Sequence, residues 1–157
     1  MEQYFALLRQ CPLFQGISPQ ELSQMLPCLG TRHMQVKKHQ MIFRAGDPAR
    51  WVGLVLSGAV HVIQEDYYGN RSIVSTFQPP QLFGEAFACA GVASLPVSVE
   101  AAQDSTLLLL DCQRVIRTCS DACAFHQRLL SNLLHVVAAK NLLLTQKLSF
   151  LSTRTTK

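Results

Sequence analysis

Charged side chains are scarce in this sequence, at 15% of 157 residues, with 14 Lys and Arg against 10 Asp and Glu. Before residues 154–157 no basic run exceeds Lys37-Lys38, so the chain has no cluster of cations typical of a nucleic-acid-binding face. The low charge comes with 48% hydrophobic residues, which excludes a disordered chain. A chain of this length is sufficient for one domain with its own core.

Targeting and membrane signals are also missing. The first residues have neither a basic segment nor an apolar one, so no signal peptide is visible. The most apolar stretch, Leu129 to Leu144, is interrupted by five polar residues and makes a poor membrane span. The six cysteines contain no CxxC pair. These absences predict a cytoplasmic protein with reduced thiols and no membrane association.

Catalytic signatures are absent too. The sequence has no nucleophile elbow, no HExxH, no P-loop and no carboxylate pair that can be placed in a pocket. We therefore expect a protein that is not an enzyme and that needs no cofactor.

Turn residues punctuate the middle of the chain, residues 31–110, at roughly the 8–12-residue spacing of an all-β domain. Residues 52–63 predict two strands that meet at Ser57-Gly58, and Gly69-Asn70 fits a two-residue hairpin loop. The last predicted strands are 97–101 and 106–110. Before this region, residues 2–9 and 18–27 predict two short helices, the second beginning with the capping sequence Ser18-Pro19-Gln20-Glu21.

The C-terminal part contains no Pro or Gly from Ser120 to Leu151 and predicts one long helix, which follows a short helix capped by Asp111. About 30 helical residues span roughly 45 Å, which is too long for a helix that only covers a small domain.

Apolar residues repeat along this helix at spacings of four and three, as in a coiled-coil seam. We expect this stripe to pair with a second copy of the chain, and a neighbouring stripe to pack on the β domain. The alternative is one wide apolar face buried in the domain itself. The predicted dimer residues are Leu130, Leu134, Val137, Asn141, Leu144, Leu148 and Leu151. The neighbouring stripe is Leu129, Leu133, Val136, Leu143 and Phe150.

Four segments, in this order and spacing, resemble the sensor half of the Crp/Fnr family of bacterial transcription regulators. They are Ile42-Phe43-Arg44-Ala45-Gly46-Asp47, Val55-Leu56-Ser57-Gly58, Leu82-Phe83-Gly84-Glu85 and Pro96-Val97-Ser98-Val99-Glu100-Ala101. The resemblance implies a mostly β fold with flanking helices, a jelly-roll double-stranded β-helix of the cyclic-nucleotide-binding type, followed by one long dimerisation helix.

Domain boundaries follow from the same resemblance. We expect a sensor domain at 1–110, a connecting helix at 111–119, the dimerisation helix at 120–151 and a hinge remnant at 152–157. Family members continue into a helix-turn-helix domain, so DNA binding is expected only through a C-terminal domain that this sequence lacks.

The resemblance also implies a ligand site. In cyclic-nucleotide-binding members a Gly-Glu turn contacts the phosphate and ribose, and an Arg about ten residues later pairs with the phosphate. Gly84 and Glu85 match the turn, but Leu95 and Pro96 stand where the Arg and a following Ser or Thr are expected, and no Arg or Lys lies between Arg71 and Arg114. The expected effector is therefore a small molecule other than cAMP. The candidate ligand residues are Gly84, Glu85, Ala86, Leu95, Pro96, Val97 and Asn141.

Structural explanations compete with these roles. Asn141 falls where family members place a ligand-contacting Thr, but a buried Asn in a seam also fixes register. Only Gly fits some turns, which is a sufficient explanation for Gly84. The apolar residues Phe83, Phe87, Val97 and Val99 are more typical of core than of a ligand wall.

Two alternatives belong to other functional classes. A cupin-like metal-dependent enzyme would use His33, His39 and His61, although these lack the close HxH-type spacing. A redox or metal sensor would use Cys119, Cys123 and His126, which share a helix face if helix covers them. Within the resembled family, an iron–sulfur cluster on Cys11 and Cys28 or haem at His61 or Cys89 is disfavoured, because spacing and context do not support either.

Overall fold

The computed structural model describes residues 4–117 and the helical backbone of 124–155, with side chains described for 4–117 and 127–146. Five α-helices and eight strands are found in these ranges. The helices are α1 (Phe5–Gln10), α2 (Pro19–Met25), α3 (Glu85–Cys89), α4 (Cys112–Ile116) and α5 (Ala124–Thr155), with 3-10 turns at Pro12–Phe14 and Leu26–Leu29. The strands are β1 (Arg32–Val36), β2 (Met41–Phe43), β3 (Trp51–Ser57), β4 (Val60–Glu65), β5 (Arg71–Phe77), β6 (Leu82–Phe83), β7 (Ser98–Ala101) and β8 (Ser105–Asp111).

The strands form two four-stranded antiparallel sheets. The inner sheet has the order β1-β8-β3-β6 and packs against the helices, whereas the outer sheet has the order β2-β7-β4-β5. Together they enclose the interior of a β-roll. The predicted mostly β architecture with a long C-terminal helix is confirmed.

Strand β8 is buried along its whole length, because the inner sheet is covered on both faces. Alternate residues of β3 reach two different cores: Val52 and Leu54 pack with the helices, and Val55 packs inside the roll. A run of consecutive apolar residues in β8 is therefore what a strand in this position requires.

Gly53 lies between those residues and faces the roll interior, where the ring of Phe83 covers its Cα. A Cβ at this position would overlap the ring. The absence of a side chain on β3 thus lets the end of β6 approach the sheet closely, and this sets the place where α3 begins.

Several local predictions are confirmed. Ser18 and Glu21 form the capping box, with each side chain accepting the other residue's backbone N–H at 3.2 and 3.1 Å. The side chain of Asp111 caps α4 by accepting the N–H of Gln113 at 3.0 Å. Strands β3 and β4 meet at Gly58, as expected.

The prediction of a two-residue hairpin loop at Gly69-Asn70 is wrong. The connection between β4 and β5 is the loop 66–70, because the carboxylate of Asp66 accepts the N–H groups of Tyr68 and Asn70 at 2.9 and 2.8 Å. A local hydrogen-bonding side chain therefore selected a longer turn than the Gly-Asn pair alone indicates.

Helix α5 lies on the N-terminal helical layer through a buried apolar face made by Leu129, Leu133 and Val136. Asn132 donates from its amide to the carbonyl oxygens of Leu13 and Gln15 at 2.9 and 2.8 Å. The second predicted stripe is thus buried at its first three positions, but it packs chiefly on the N-terminal helical layer and not on the β domain as expected. It is wrong at Leu143, which is 54% exposed, and Phe150 lies outside the described side chains.

The backbone of α5 is helical to Thr155, so residues 152–155 of the predicted hinge continue the helix. Its predicted start near Ser120 lies outside the described residues. Thirty-two residues correspond to a rod of about 48 Å. Among the described helices, none is both long and apolar enough to cross a membrane.

We predict that Asn132→Ala lowers the free energy of unfolding by about 1–2 kcal/mol, because two backbone carbonyls lose their donor where α5 meets the domain. Urea denaturation at fixed protein concentration measures this. Ser131→Ala, at the exposed neighbouring position, is the matched control and should change stability by less than about 0.5 kcal/mol. Equal midpoints for the two variants would contradict the anchoring role of Asn132.

Candidate functional site

The site begins where β6 turns into α3. Gly84 stands at the N-cap with φ +78°, a left-handed conformation that side chains disfavour. The backbone conformation alone therefore explains why a glycine occupies position 84, whether or not a ligand binds there. The turn places Glu85 as the first residue of α3.

Glu85 is buried, with 5% of its side chain exposed, and forms an ion pair with Lys140 of α5. The Lys140 ammonium also donates to the Leu82 carbonyl oxygen at 2.9 Å and lies 5.0 Å from the ring centroid of Phe77. A buried carboxylate requires such a partner. The carboxylate expected to receive a ligand hydroxyl is therefore occupied by a cation from the long helix.

Lys140 was missed as a site residue in the sequence. The available signal was a single lysine inside the most apolar stretch of the chain, next to Asn141. A lone lysine on a helix is normally solvated. Its partner here, Glu85, lies 55 residues away in the sequence, so only the tertiary structure shows the pair.

The interior of the roll is closed. Its cavity has a volume of about 20 Å³, which holds roughly one water molecule. Leu95 and Val97 are buried in its wall, and Phe83 and Val99 belong to the same core. Sites for small molecules have volumes of about 300–1,000 Å³, so a nucleotide has no room inside the roll in this conformation. The cavity wall also includes Phe43, Pro48, Ala49, Arg50, Trp51, Val62, Gly84, Phe87 and Val99.

Arg50 brings a second cation to the cavity rim, from a part of the chain outside residues 72–113. Its guanidinium donates twice to one carboxylate oxygen of Asp111, at 3.2 and 2.9 Å, and lies 4.9 Å from the Trp51 ring centroid. The absence of Arg and Lys between Arg71 and Arg114 therefore does not leave the cavity rim without a cation. Both cations, Arg50 and Lys140, are already paired with carboxylates of the chain.

A groove of about 370 Å³ lies outside the roll, between the start of α3 and α5. It combines the polar groups of Glu85, Lys140 and Asn141 with apolar walls, among them Leu134 and Leu144. We call it the α3–α5 groove. Its full lining is Glu85, Ala86, Leu134, Val137, Ala138, Lys140, Asn141 and Leu144.

The predicted ligand residues thus fall into three places. Gly84, Leu95 and Val97 surround the closed cavity. Glu85, Ala86 and Asn141 line the α3–α5 groove. Pro96 is exposed in a separate depression beside Met41 and Ser98. Two of these places share the Gly84-Glu85 turn.

The predicted dimer stripe is uncovered in the single chain. Leu134 is 71% exposed and Leu144 is 56% exposed, Leu130 and Val137 are half-buried, and Asn141 is exposed. The side chains of Leu148 and Leu151 lie outside those described.

The three histidines of the cupin-like alternative do not form one site. His33 lies on the inner sheet and His61 on the outer sheet, where its Nδ1 is 3.0 Å from the Thr76 hydroxyl. His39 lies 3.6 Å from Glu100. Within the described ranges, no three His, Cys, Asp or Glu side chains are grouped to hold a metal ion. Cys119, Cys123 and His126 lie outside the described side chains.

Comparison with family models matches residues 33–121 to the cyclic nucleotide-binding domain. Comparison with curated protein sequences found no match. Among solved structures, the catabolite activator protein of Thermus thermophilus is 25% identical with a TM-score of 0.72, over 90% of this chain and 63% of that protein. This chain therefore spans less than two thirds of that relative's length.

Two further structures share the fold. The sensor domain of the transcriptional regulator DNR from Pseudomonas aeruginosa is 20% identical with a TM-score of 0.69, over 100% of this chain and 98% of that one. A transcriptional regulator from Thermotoga maritima is 23% identical with a TM-score of 0.69, over 84% and 98%. With the match to residues 33–121, more than half of the sequence, these findings confirm the resemblance to Crp/Fnr sensor halves, and the chain belongs to the cyclic nucleotide-binding domain family.

Proposed function

We propose that this chain is the effector-sensing and dimerisation domain of a Crp/Fnr-type transcription regulator, and that its effector is a small molecule other than cAMP bound in the α3–α5 groove. The observation that carries the proposal is the Glu85–Lys140 ion pair. It occupies the carboxylate that cyclic-nucleotide-binding relatives use, and it joins the ligand turn directly to the long helix.

The chemistry of the groove supports a neutral or mixed polar ligand. Glu85 and Lys140 cancel each other's charge, Asn141 offers an amide donor and acceptor, and the remaining wall is apolar. A phosphate placed there meets the carboxylate of Glu85, and the Lys140 ammonium in the groove is already paired with that carboxylate. A ligand with hydroxyl or amide groups and an apolar body fits these walls better.

The mechanism follows from where the groove lies. One wall is the start of α3 and the other is the middle of α5, so a bound molecule contacts both elements. An effector shifts the position of α5 only if it binds one arrangement of α3 and α5 more tightly than the other. In the proposed regulator, α5 carries this shift to a DNA-binding domain.

The dimer is supported by the exposed stripe on α5. Four large apolar side chains on one helix, Leu134, Leu142, Leu143 and Leu144, are more than half exposed. Leu134 and Leu144 occupy heptad core positions, and burying them against a second copy removes apolar surface from water. Asn141 lies on the same stripe, so a dimer brings it to the boundary between seam and groove.

We predict that isothermal titration calorimetry with cAMP shows no binding at micromolar concentrations, because the roll is closed and Lys140 holds Glu85. A thermal-shift screen of small neutral metabolites tests for the expected ligand. A ligand of the groove should raise the melting temperature of the wild type and lose much of that effect with Asn141→Ala. Micromolar cAMP affinity would overturn the proposed ligand class, and hits unaffected by Asn141→Ala would place the site outside the groove.

We predict that sedimentation velocity shows a dimer at micromolar concentration, and that Leu134→Glu combined with Leu144→Glu shifts it to a monomer. Two buried charges in a seam cost several kcal/mol. Leu143→Glu is the control, since Leu143 lies on the same helix but off the stripe and is 54% exposed, close to the 56% of Leu144, and this variant should remain dimeric. A monomeric wild type would remove the dimer from the proposal.

We predict that Lys140→Met destabilises the domain by about 1–3 kcal/mol, because it leaves the buried Glu85 without a cation. The estimate lies below that for a fully buried pair, since 42% of the Lys140 side chain is exposed. The double variant Glu85→Gln, Lys140→Met should recover much of the loss.

Chemical denaturation of the four members of this cycle measures the coupling between the two residues. Lys37→Met, at an exposed lysine on the inner sheet's edge region, is the control and should change little. Additive effects of the two substitutions would show that the ion pair does not hold α5 to α3.

A further inference from the structure

A pair of cysteines meets where α3 ends and α4 begins. The sulfur atoms of Cys89, the last residue of α3, and Cys112, the first residue of α4, are 3.9 Å apart. Cys112 is 1% exposed and Cys89 is half-buried. Neither the ligand groove nor the dimer stripe uses these thiols.

We propose that Cys89 and Cys112 form a redox-modification site, closing to an intrachain disulfide when the protein meets a hydroperoxide and reopening with a thiol reductant. The sulfur atoms are already in van der Waals contact. They need to approach by roughly 2 Å to reach bonding distance, a movement within reach of side-chain rotation in two short helices.

The two thiols have distinct roles. The hydrogen bond between the two thiols lowers the pKa of Cys89, whereas that hydrogen bond and burial raise the pKa of Cys112. Cys89 is also the more exposed of the two. It is therefore the thiolate that an oxidant meets first, and Cys112 is the resolving thiol.

The reaction is balanced with hydrogen peroxide as oxidant. The Cys89 thiolate attacks one peroxide oxygen, the O–O bond breaks and hydroxide leaves, and Cys89 becomes a sulfenic acid. The Cys112 sulfur then attacks the Cys89 sulfur, the S–O bond breaks, and its thiol proton leaves with the hydroxyl as water. In total two thiols and one peroxide give one disulfide and two waters.

The position of the pair gives the modification a consequence. Helix α3 has five residues, with Glu85 at its start and Cys89 at its end. A bond from Cys89 to the buried Cys112 fixes the end of α3 to α4, while Glu85 at the other end holds Lys140. The redox state of the pair therefore acts on the same short helix that contacts α5, whether or not the groove binds an effector.

Two other described cysteines serve as internal comparisons. Cys11 is fully buried, and burial raises its pKa to about 11, so its thiolate is scarce. Cys28 is exposed, and its thiol lies 3.9 Å from the carbonyl oxygen of Gln24. Oxidation of Cys28 therefore measures how readily an exposed thiol outside the Cys89–Cys112 pair reacts.

The test is a disulfide map of the intact chain after treatment with a modest excess of hydrogen peroxide and quenching with N-ethylmaleimide. Trypsin alone leaves both cysteines in peptide 72–114, so digestion also needs a protease that cleaves after Glu. This yields 86–100 with Cys89, 101–114 with Cys112, and 118–128 with Cys119 and Cys123. We expect 86–100 linked to 101–114, with loss of two hydrogen atoms and full reversal by dithiothreitol.

Variants separate the two roles. Cys112→Ser should abolish the crosslink and leave Cys89 as a sulfenic acid that dimedone traps, whereas Cys89→Ser should leave Cys112 unmodified. Cys28→Ser should preserve the crosslink. Circular dichroism verifies the fold of each variant, and Cys112→Ala replaces Cys112→Ser if the buried hydroxyl prevents folding.

Two outcomes overturn the proposal. One is oxidation of Cys28 with no link between 86–100 and 101–114 in a folded wild type. The other is a crosslink from Cys112 to 118–128 in place of Cys89.

Discussion

The ion pair between Glu85 and Lys140 connects the start of α3 to the long helix α5. Glu85 is the first residue of α3, and Lys140 lies in the middle of α5. A carboxylate with 5% exposure is tolerated only while its cation stays in place. The burial of Glu85 and the position of α5 therefore depend on each other. A group that competes for Glu85 or for Lys140 also acts on α5.

The rest of the architecture makes that connection direct. Strands β3 and β8 of the inner sheet are buried on both faces, so the closed interior of the roll and the helical layer lie on opposite sides of these strands. Gly53 lets Phe83 lie against this sheet and sets the start of α3. On the helical side, Asn132 and three buried apolar residues hold α5 one turn or more before Lys140. Beyond Val136, none of the α5 residues with described side chains, up to Gln146, is buried.

The features that sequence alone predicts are those determined locally. The capping box at Ser18 and Glu21, the Asp111 cap and the strands separated by glycine turns depend on neighbouring residues, and each is present. Two pairs depend instead on contacts between distant residues: Glu85 with Lys140 over 55 positions, and Cys89 with Cys112 over 23. No periodicity encodes such pairs. Leu143 shows the same limit, because its position in an apolar stripe does not reveal that it is 54% exposed.

The energetics of the ion pair suit a switch. The side chain of Lys140 is 42% exposed, so solvent screens its attraction to Glu85. The net contribution of the ion pair to stability is therefore on the order of 1 kcal/mol. A factor of ten in an equilibrium corresponds to about 1.4 kcal/mol. An effector with a tenfold preference for one arrangement of α3 and α5 therefore changes the population of that arrangement substantially. A deeply buried pair of several kcal/mol would resist such a ligand, and a fully exposed pair would not hold the helix at all.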